Sequence, residues 1–274
     1  MDIQKFNINT IEKGCNICVI GKRATGKTKL VHDILYNIQG FSYGIAFDPC
    51  GGSYPMIPNH FKWKEYHTDA LRSFNDYSKK YIKNEGFAIF NQCFMEDPNK
   101  YNNVRWTVMN GRCVRNTNIF VEQYSNFRLA IRTNMDYIFL FREHNVNNIQ
   151  KLYEHYGCMI SSFEKFRLIF EAVTKNYGCM VIDNRYDGGV YWYKAELHPD
   201  FKKYNFPKFT MPKPCKNLEE LKKKIGENCP ICLEEMANIN NMLITKCLHA
   251  FHQSCYSGYK DKHKCPYCRS VTGL

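Results

Sequence analysis

The stretch from residue 229 to residue 268 constrains this chain more than any other. Eight thiol or imidazole side chains stand there in strict order: Cys229, Cys232, Cys247, His249, His252, Cys255, Cys265 and Cys268. The spacing reads C-x2-C, fourteen residues, C-x-H-x2-H-x2-C, nine residues, C-x2-C. Thiolate and imidazole are the donors zinc prefers, four to a closed tetrahedral site, so eight of them predict two structural Zn2+ ions. Six of the fourteen cysteines lie here, clustered with histidines in a way unpaired cysteines rarely are. A segment this short buries too little apolar surface to fold unaided, so metal binding is expected to supply most of its folding free energy. Phe251, between the two histidines, is the expected apolar plug.

The array resembles a RING finger of the two-histidine kind, the zinc module of a class of ubiquitin ligases. The resemblance implies an interleaved cross-brace. Cys229, Cys232, His252 and Cys255 would hold one zinc, and Cys247, His249, Cys265 and Cys268 the other. It also implies a ubiquitin-conjugating enzyme and ubiquitin as partners. The family carries an apolar residue inside the first C-x2-C, a bulky aromatic on the helix after the sixth ligand, a Pro after the seventh and an Arg after the eighth. Those positions are Ile231, Tyr259, Pro266 and Arg269 here. The aromatic is usually Trp, so Tyr259 is a departure that keeps a flat apolar face with a polar tip.

The rest of the chain reads differently. At 274 residues, length allows one or two domains. No apolar run approaches the ~20 residues of a membrane span, and the opening MDIQKFNINTIEKG is neither a signal nor a transit peptide. The chain is therefore expected to be intracellular, neither secreted nor membrane-bound, with its remaining cysteines reduced. Cys15 and Cys18 form a C-x2-C on what reads as a strand, where they would face opposite sides, and are taken as core. The net charge is +12, of which about +4 falls in residues 206–226. Pro207, Pro212 and Pro214 break regular structure there, and a short charged helix over 217–225 is expected to follow. The expected division is a domain over 1–205, a Pro/Lys-rich linker over 206–226 and the zinc module over 227–270.

The first domain opens on ICVIGKRATGKTKLVHDILYNI. An apolar strand runs into Gly21-Lys22-Arg23-Ala24-Thr25-Gly26-Lys27-Thr28, which is G-x4-G-K-T. Leu30, Val31, Ile34, Leu35 and Ile38 then recur at helical spacing. Strand, glycine loop and helix form the context a P-loop requires, with backbone N–H groups wrapping phosphates at the helix N-terminus. Gly21, Gly26, Lys27 and Thr28 are thus candidates for binding ATP or ADP with Mg2+, Lys27 on the phosphates and Thr28 on the metal. Strands are expected at 43–48, 87–91, 117–122, 137–141, 179–183 and 190–194, and helices at about 69–83, 102–110, 146–156 and 162–175. That alternation predicts an α/β fold, a mostly parallel sheet flanked by helices.

The segment MNGRCVRNTNIFVEQYSNFRLAIRTNMDYIFLFRE and the later KLYEHYG resemble the DNA-packaging ATPases of large nucleocytoplasmic DNA viruses, within the FtsK–HerA superfamily. DPCGGSYPMIPNHF and VYWYKA extend the resemblance over about residues 10–197. One departure matters. The magnesium-binding strand of that family ends in two acidic residues, whereas Phe87-Ala88-Ile89-Phe90 is followed by Asn91-Gln92. Asn91 retains the ability to hydrogen-bond a magnesium water, and Gln92 to orient water as in some GTPases, but neither is a base. Asp48 and Asp183 are the alternative acids, on strands not expected to neighbour the P-loop strand. Gln123 matches a sensor of the γ-phosphate, Arg112 and Arg132 are arginine-finger candidates, and Cys113 stands where the family usually has His.

The resulting expectation is a RING-type ubiquitin ligase with a nucleotide-binding, hydrolysis-impaired P-loop domain for substrate binding or oligomerisation. Homo-oligomers and weak, salt-sensitive DNA contact are compatible with that resemblance and with the basic charge. The competing expectation is an ATP-driven DNA-packaging motor with the RING as an interaction module.

Overall fold

A computed structural model describes residues 3–93, 98–125, 127–206, 224–238, 241–245, 247, 249–261 and 264–269. The chain divides into two compact units, 1–211 and 212–274. Most of the expected linker, its three prolines and all but the last two residues of the expected 217–225 helix lie outside the described residues.

The first unit is built on an eight-stranded sheet. Its strands are β1 (Asn16–Ile20), β2 (Tyr43–Phe47), β3 (Lys62–Trp63), β4 (Gly86–Asn91), β5 (Asn116–Glu122), β6 (Tyr137–Phe141), β7 (Gly178–Asp183) and β8 (Val190–Lys194), in the spatial order β3-β2-β4-β5-β1-β6-β7-β8. Neighbours from β3 to β6 run parallel; β7 and β8 pair antiparallel. The six residues between β7 and β8 close a hairpin and are too few for a parallel crossover. The helices are α1 (Lys27–Asn37), α2 (Thr68–Lys80), α3 (Pro98–Asn110), α4 (Leu129–Arg132), α5 (Val146–Tyr156) and α6 (Phe163–Val173). The mostly parallel α/β architecture expected from the alternation is the one observed. The two-residue β3 and the single-turn α4 carry no period long enough to read from sequence.

Burial on both faces explains the apolar strands. Every residue of β1, β2, β4 and β6 is buried, as parallel strands covered on two sides require. Phe47, Phe90 and Phe120 line up across β2, β4 and β5, with ring centroids 5.5 and 4.8 Å apart. Each such pair contributes about 0.5–1.5 kcal/mol beyond its burial. Cys15 and Cys18 are buried core residues. At the strands' N-terminal ends a buried polar network ties helices to sheet. Tyr43 Oη donates to Asn116 Oδ1 at 2.6 Å, Asn116 Nδ2 to Ser78 Oγ at 2.7 Å, and Asn118 Nδ2 to Asn16 Oδ1 at 2.9 Å.

Helix starts follow their caps. Asn145 accepts from the N–H groups of Asn147 and Asn148, and Ser162 from that of Lys165, satisfying donors a helix end leaves open. Helix α1 is pinned instead by Asp33, which is fully buried. Its carboxylate accepts from Tyr193 Oη at 2.7 Å and Glu196 N at 2.8 Å, and lies 2.8 Å from His198 Nε2. The segment after β8 is thereby clasped to α1. Asp33→Ala strands several buried donors and is expected to cost about 3 kcal/mol or more, read as a lower urea midpoint for the full chain; an unchanged midpoint would show the clasp to be dispensable.

The second unit is small. Strands β9 (Met242–Ile244) and β10 (Ala250–His252) pair antiparallel, and α7 (Gln253–Gly258) follows. Its core comprises Cys229, Met236, Met242, Ile244, Ala250, Phe251, Tyr256 and Cys265. Phe251 is fully buried, and its ring lies 5.7 Å from that of Tyr256.

Candidate functional site

The second unit brings its eight ligands together in two groups: Cys229, Cys232, His252 and Cys255, and Cys247, His249, Cys265 and Cys268. Within each group the ligand atoms lie within 4.8 Å of one another. His252 Nδ1 stands 3.2 Å from Cys232 Sγ and 3.9 Å from Cys255 Sγ. His249 Nδ1 stands 3.4 Å from Cys247 Sγ and 3.7 Å from Cys265 Sγ, and Cys268 Sγ lies 3.3 Å from Cys247 Sγ. These are edges of a tetrahedron around an ion about 2.0–2.3 Å from each donor, so the residues fit zinc. Both imidazoles turn Nδ1 inward. The order of the pairs is interleaved along the chain.

The charge balance also asks for a cation. Burial pushes the Cys229 thiol up, but the backbone N–H groups of Cys232, His252 and Ile231 outweigh it and bring the pKa down to about 7. Burial, with the neighbouring Cys232 and Cys229 thiols, pushes Cys255 up to about 11. Three thiols and one imidazole gathered this closely in each group can act as thiolate donors together only around a positive ion.

Both C-x2-C pairs at the ends of the array close in the same way. Leu233 N donates to Cys229 O at 2.8 Å, and Arg269 N to Cys265 O at 2.8 Å. Leu233 and Arg269 are both left-handed, with φ of 64° and 58°, a conformation that costs a residue with a Cβ about 1–2 kcal/mol. The direction of Arg269 is thus set by the metal knuckle before it, a constraint that composition and spacing do not reveal. Ile231 is 38% exposed and Pro266 is half-buried. Tyr259, expected on the helix, is the residue at which α7 ends; the buried aromatic of that helix is Tyr256.

The first unit assembles a second site at the C-terminal ends of its parallel strands. Ala24 and Gly26 take left-handed φ of 63° and 110°, which turns successive N–H groups inward. Gly26 is the N-cap of α1 with no side-chain cap, so those helix donors are left to a ligand. Gly21 is obligatory in another sense: a Cβ there would lie 2.5 Å from Phe141 Cβ. Lys27 Nζ is folded onto its own loop, donating to Gly21 O at 2.5 Å and Lys22 O at 2.8 Å. Burial lowers its pKa, and the Glu122 carboxylate works in the opposite direction. This donor set fits an anionic phosphate chain, and Thr28 is half-buried in the first turn of α1 that follows it.

The register explains what surrounds the loop. Ile20 pairs with Glu122 and Asn91 with Val121, so the ends of β1, β5 and β4 are level. Gln92, left-handed at φ 51°, meets Gln123, whose Nε2 donates to Gln92 Oε1 at 3.2 Å. The two glutamines named from sequence are therefore brought together. A cavity of about 220 Å3 opens beside Gly21, lined in part by Gln123, Ser125, Glu143 and Lys151. Glu143 anchors the loop through Lys22 Nζ at 2.7 Å. Burial disfavours that carboxylate, but the Asn145 and His144 N–H groups, Lys22 and Asn148 hold its pKa below the usual value. Sequence reasoning passed over Glu122 and Glu143; only the register and the tertiary contacts reveal them.

The alternative acids fall elsewhere. Asp183 ends β7 and binds Arg185 through Nε at 2.9 Å and Nη2 at 2.8 Å. Asp48 follows β2, which β4 and β5 separate from β1, yet it touches Asn91. Arg112 pairs with Asp136, whose Oδ2 accepts from the backbone of Asn16, the first residue of β1. That pair sits at the end of the sheet opposite the phosphate loop.

Known proteins resemble different parts of this chain. Residues 227–269 match the ring finger domain family. The same region is similar to an E3 ubiquitin-protein ligase of Arabidopsis thaliana, 45% identical over 53 residues, 18% of this chain and 35% of that protein. An uncharacterised protein of Acanthamoeba polyphaga mimivirus is 27% identical over 219 residues, 71% of this chain and 77% of that one. Among solved structures, the genome packaging NTPase of Sulfolobus turreted icosahedral virus 2, in complex with sulfate, has 15% identity and a TM-score of 0.49, covering 68% of this chain and 99% of that one.

Removing one ligand leaves a site of three. Cys229→Ala and His249→Ala are each expected to release zinc and unfold residues 227–270, as read by metal analysis and by loss of dispersed NMR signals from that region. Two full equivalents of zinc in either variant would refute the ligand assignment.

Proposed function

We propose that this chain is a RING-type ubiquitin ligase. Its C-terminal unit recruits a ubiquitin-conjugating enzyme charged with ubiquitin. Its P-loop unit binds ATP or ADP with magnesium, turns it over poorly, and serves substrate binding or oligomerisation. The observation that carries the ligase reading is the pairing of eight ligands into two interleaved zinc sites over the very residues that match the ring finger family.

The chemistry asked of the second unit is modest. A RING has no nucleophile of its own; it accelerates transfer by holding the thioester-linked ubiquitin in a reactive pose. Exposed Ile231, half-buried Pro266 and half-buried Tyr259 offer an apolar seat beside one another in the resemblance. Arg269 is exposed and lies outside both ligand groups, with a backbone fixed by the Cys265 carbonyl. It is the donor that would lock the pose.

For the first unit, nucleotide binding is supported by the uncapped α1 N-terminus and the left-handed turns of the loop. Slow turnover is supported by the uncharged ends of Asn91 and Gln92. Binding that does not discriminate the transition state from the ground state gives little rate.

Two measurements test these readings. Arg269→Ala is expected to keep two zincs and a folded unit while slowing discharge of a charged conjugating enzyme about a hundredfold, the cost of a misplaced reactive pose. Discharge at the wild-type rate would remove Arg269 from its role, and no discharge by the wild type across a panel of conjugating enzymes would replace the ligase by an adaptor. The full chain is expected to bind labelled ATP, and to lose that binding in Lys27→Ala, with steady-state hydrolysis near background in both. A robust rate that Lys27→Ala abolishes would instead favour the packaging motor.

A further inference from the structure

An amide at the end of β4 can serve a magnesium ion only if its oxygen, and not its NH2, faces the phosphate loop. Partners decide which atom is which, and the partner of Asn91 leaves one answer. Asn91 Nδ2 lies 2.9 Å from Asp48 Oδ1, and a carboxylate only accepts. Asp48 is fully buried and held from both sides: Oδ1 also accepts from Ser53 Oγ at 2.9 Å, and Oδ2 from Ser53 N at 2.9 Å. The Asn91 oxygen therefore points away from Asp48, and among the described residues no donor is paired with it. The cluster lies against α1, because Ser53 O is 2.6 Å from His32 Nε2. His32 stands four residues beyond Thr28, on the same helix face.

We propose that Asp48 is a positioning residue for the magnesium ion of the P-loop site, acting by locking the Asn91 amide with its oxygen toward the phosphate loop. The negative charge expected on β4 has moved one strand over, to the end of β2. The proposal rests on the nucleotide reading above and extends it: Asn91 and Asp48 work as a unit, and neither is interchangeable alone. Asp48→Asn illustrates why. The new amide at position 48 must keep its oxygen on Ser53 N, which turns its NH2 toward Asn91. Asn91 must then rotate to accept, and presents its own NH2 to the cation. Asn91→Asp alone places two carboxylates about 2.9 Å apart, one of which takes up a proton. The exchange of both, Asp48→Asn with Asn91→Asp, restores a donor–acceptor match and puts the charge on β4.

The test uses the full chain and a fluorescent ADP analogue, with affinity measured in magnesium and in chelator. The readout is the ratio of the two affinities, which a purely structural role would leave in place. The wild type is expected to bind more tightly with magnesium. Asp48→Asn is expected to lower the ratio about tenfold, Asn91→Ala to lower it similarly, and the double exchange to recover it. A wild-type ratio in Asp48→Asn or in Asn91→Ala overturns the proposal, as does a double exchange no better than Asp48→Asn. Should Asp48→Asn fail to fold, judged by its thermal midpoint, Asn91→Ala and the double exchange still decide. If the wild type binds the analogue in neither condition, the nucleotide reading falls and this inference with it. If binding persists and only the ratios are unmoved, this inference falls alone.

Discussion

The first unit depends on β1 being hydrogen-bonded along both edges, to β5 on one side and β6 on the other. A strand so placed cannot shift register without breaking two ladders at once, and its side chains are sealed on both faces. The phosphate loop grows directly from its end. Gly21 N donates to Glu122 O at 3.1 Å, which ties the first residue of the loop to β5. Phe141, from β6, leaves no room for a Cβ at Gly21. The two neighbouring strands thus build the loop's floor, and the loop's own left-handed turns aim its N–H groups. Rigidity at this point comes from the sheet, and the sequence of the loop supplies only the conformational freedom to use it.

The second unit is held together on a different principle. Its apolar core is eight residues, two of them metal-ligand cysteines, too few to hold a fold of this size by burial alone. The ligand pairs do the work of a core, and the cross-bracing joins segments far apart in sequence, Cys229 to Cys255 and Cys247 to Cys268. The same bonds dictate local backbone. Leu233 and Arg269 are driven into left-handed conformations because each closes a turn around a cysteine pair. In most proteins such a position calls for glycine. Here the strain is offset by metal binding, which leaves a side chain, and in one case a guanidinium, standing where glycine would leave nothing.

Long-period features were legible from sequence and short-range geometry was not. The eight ligands declare themselves because zinc imposes both residue type and spacing. The G-x4-G-K-T loop declares itself because strand and helix periods flank it. The α/β alternation follows from apolar runs at 17–20, 43–47, 87–90 and 137–141, each bounded by polar turns. By contrast β3 has two residues and α4 four, below the length at which a period can be counted. The antiparallel sense of β7 and β8 is set by the short turn between them. The neighbourhood of Asn91 is a matter of register: Phe47 pairs with Phe90, so the residue after each, Asp48 and Asn91, must meet. No one-dimensional pattern carries that information.

The asparagine at the end of β4 reads as a loss when the chain is taken as a string, because a carboxylate is expected and an amide is found. In three dimensions the charge is present one strand away, fully buried and hydrogen-bonded through both oxygens. Burial of a carboxylate without a cation is costly unless donors surround it, and here three donors do, one of them the Asn91 amide itself. A second carboxylate at position 91 would lose that donor and add repulsion. The polar pattern at these two positions is therefore coupled: a buried acid on β2 calls for a donor on β4, and an amide supplies one while keeping an oxygen that can accept elsewhere. Asparagine has the length to do this from a strand end, since its Nδ2 reaches Asp48 and its oxygen is left pointing away from that carboxylate. On the reading proposed above, hydrolytic power and metal affinity part company, because an amide oxygen can hold a hydrated cation but cannot take a proton from water.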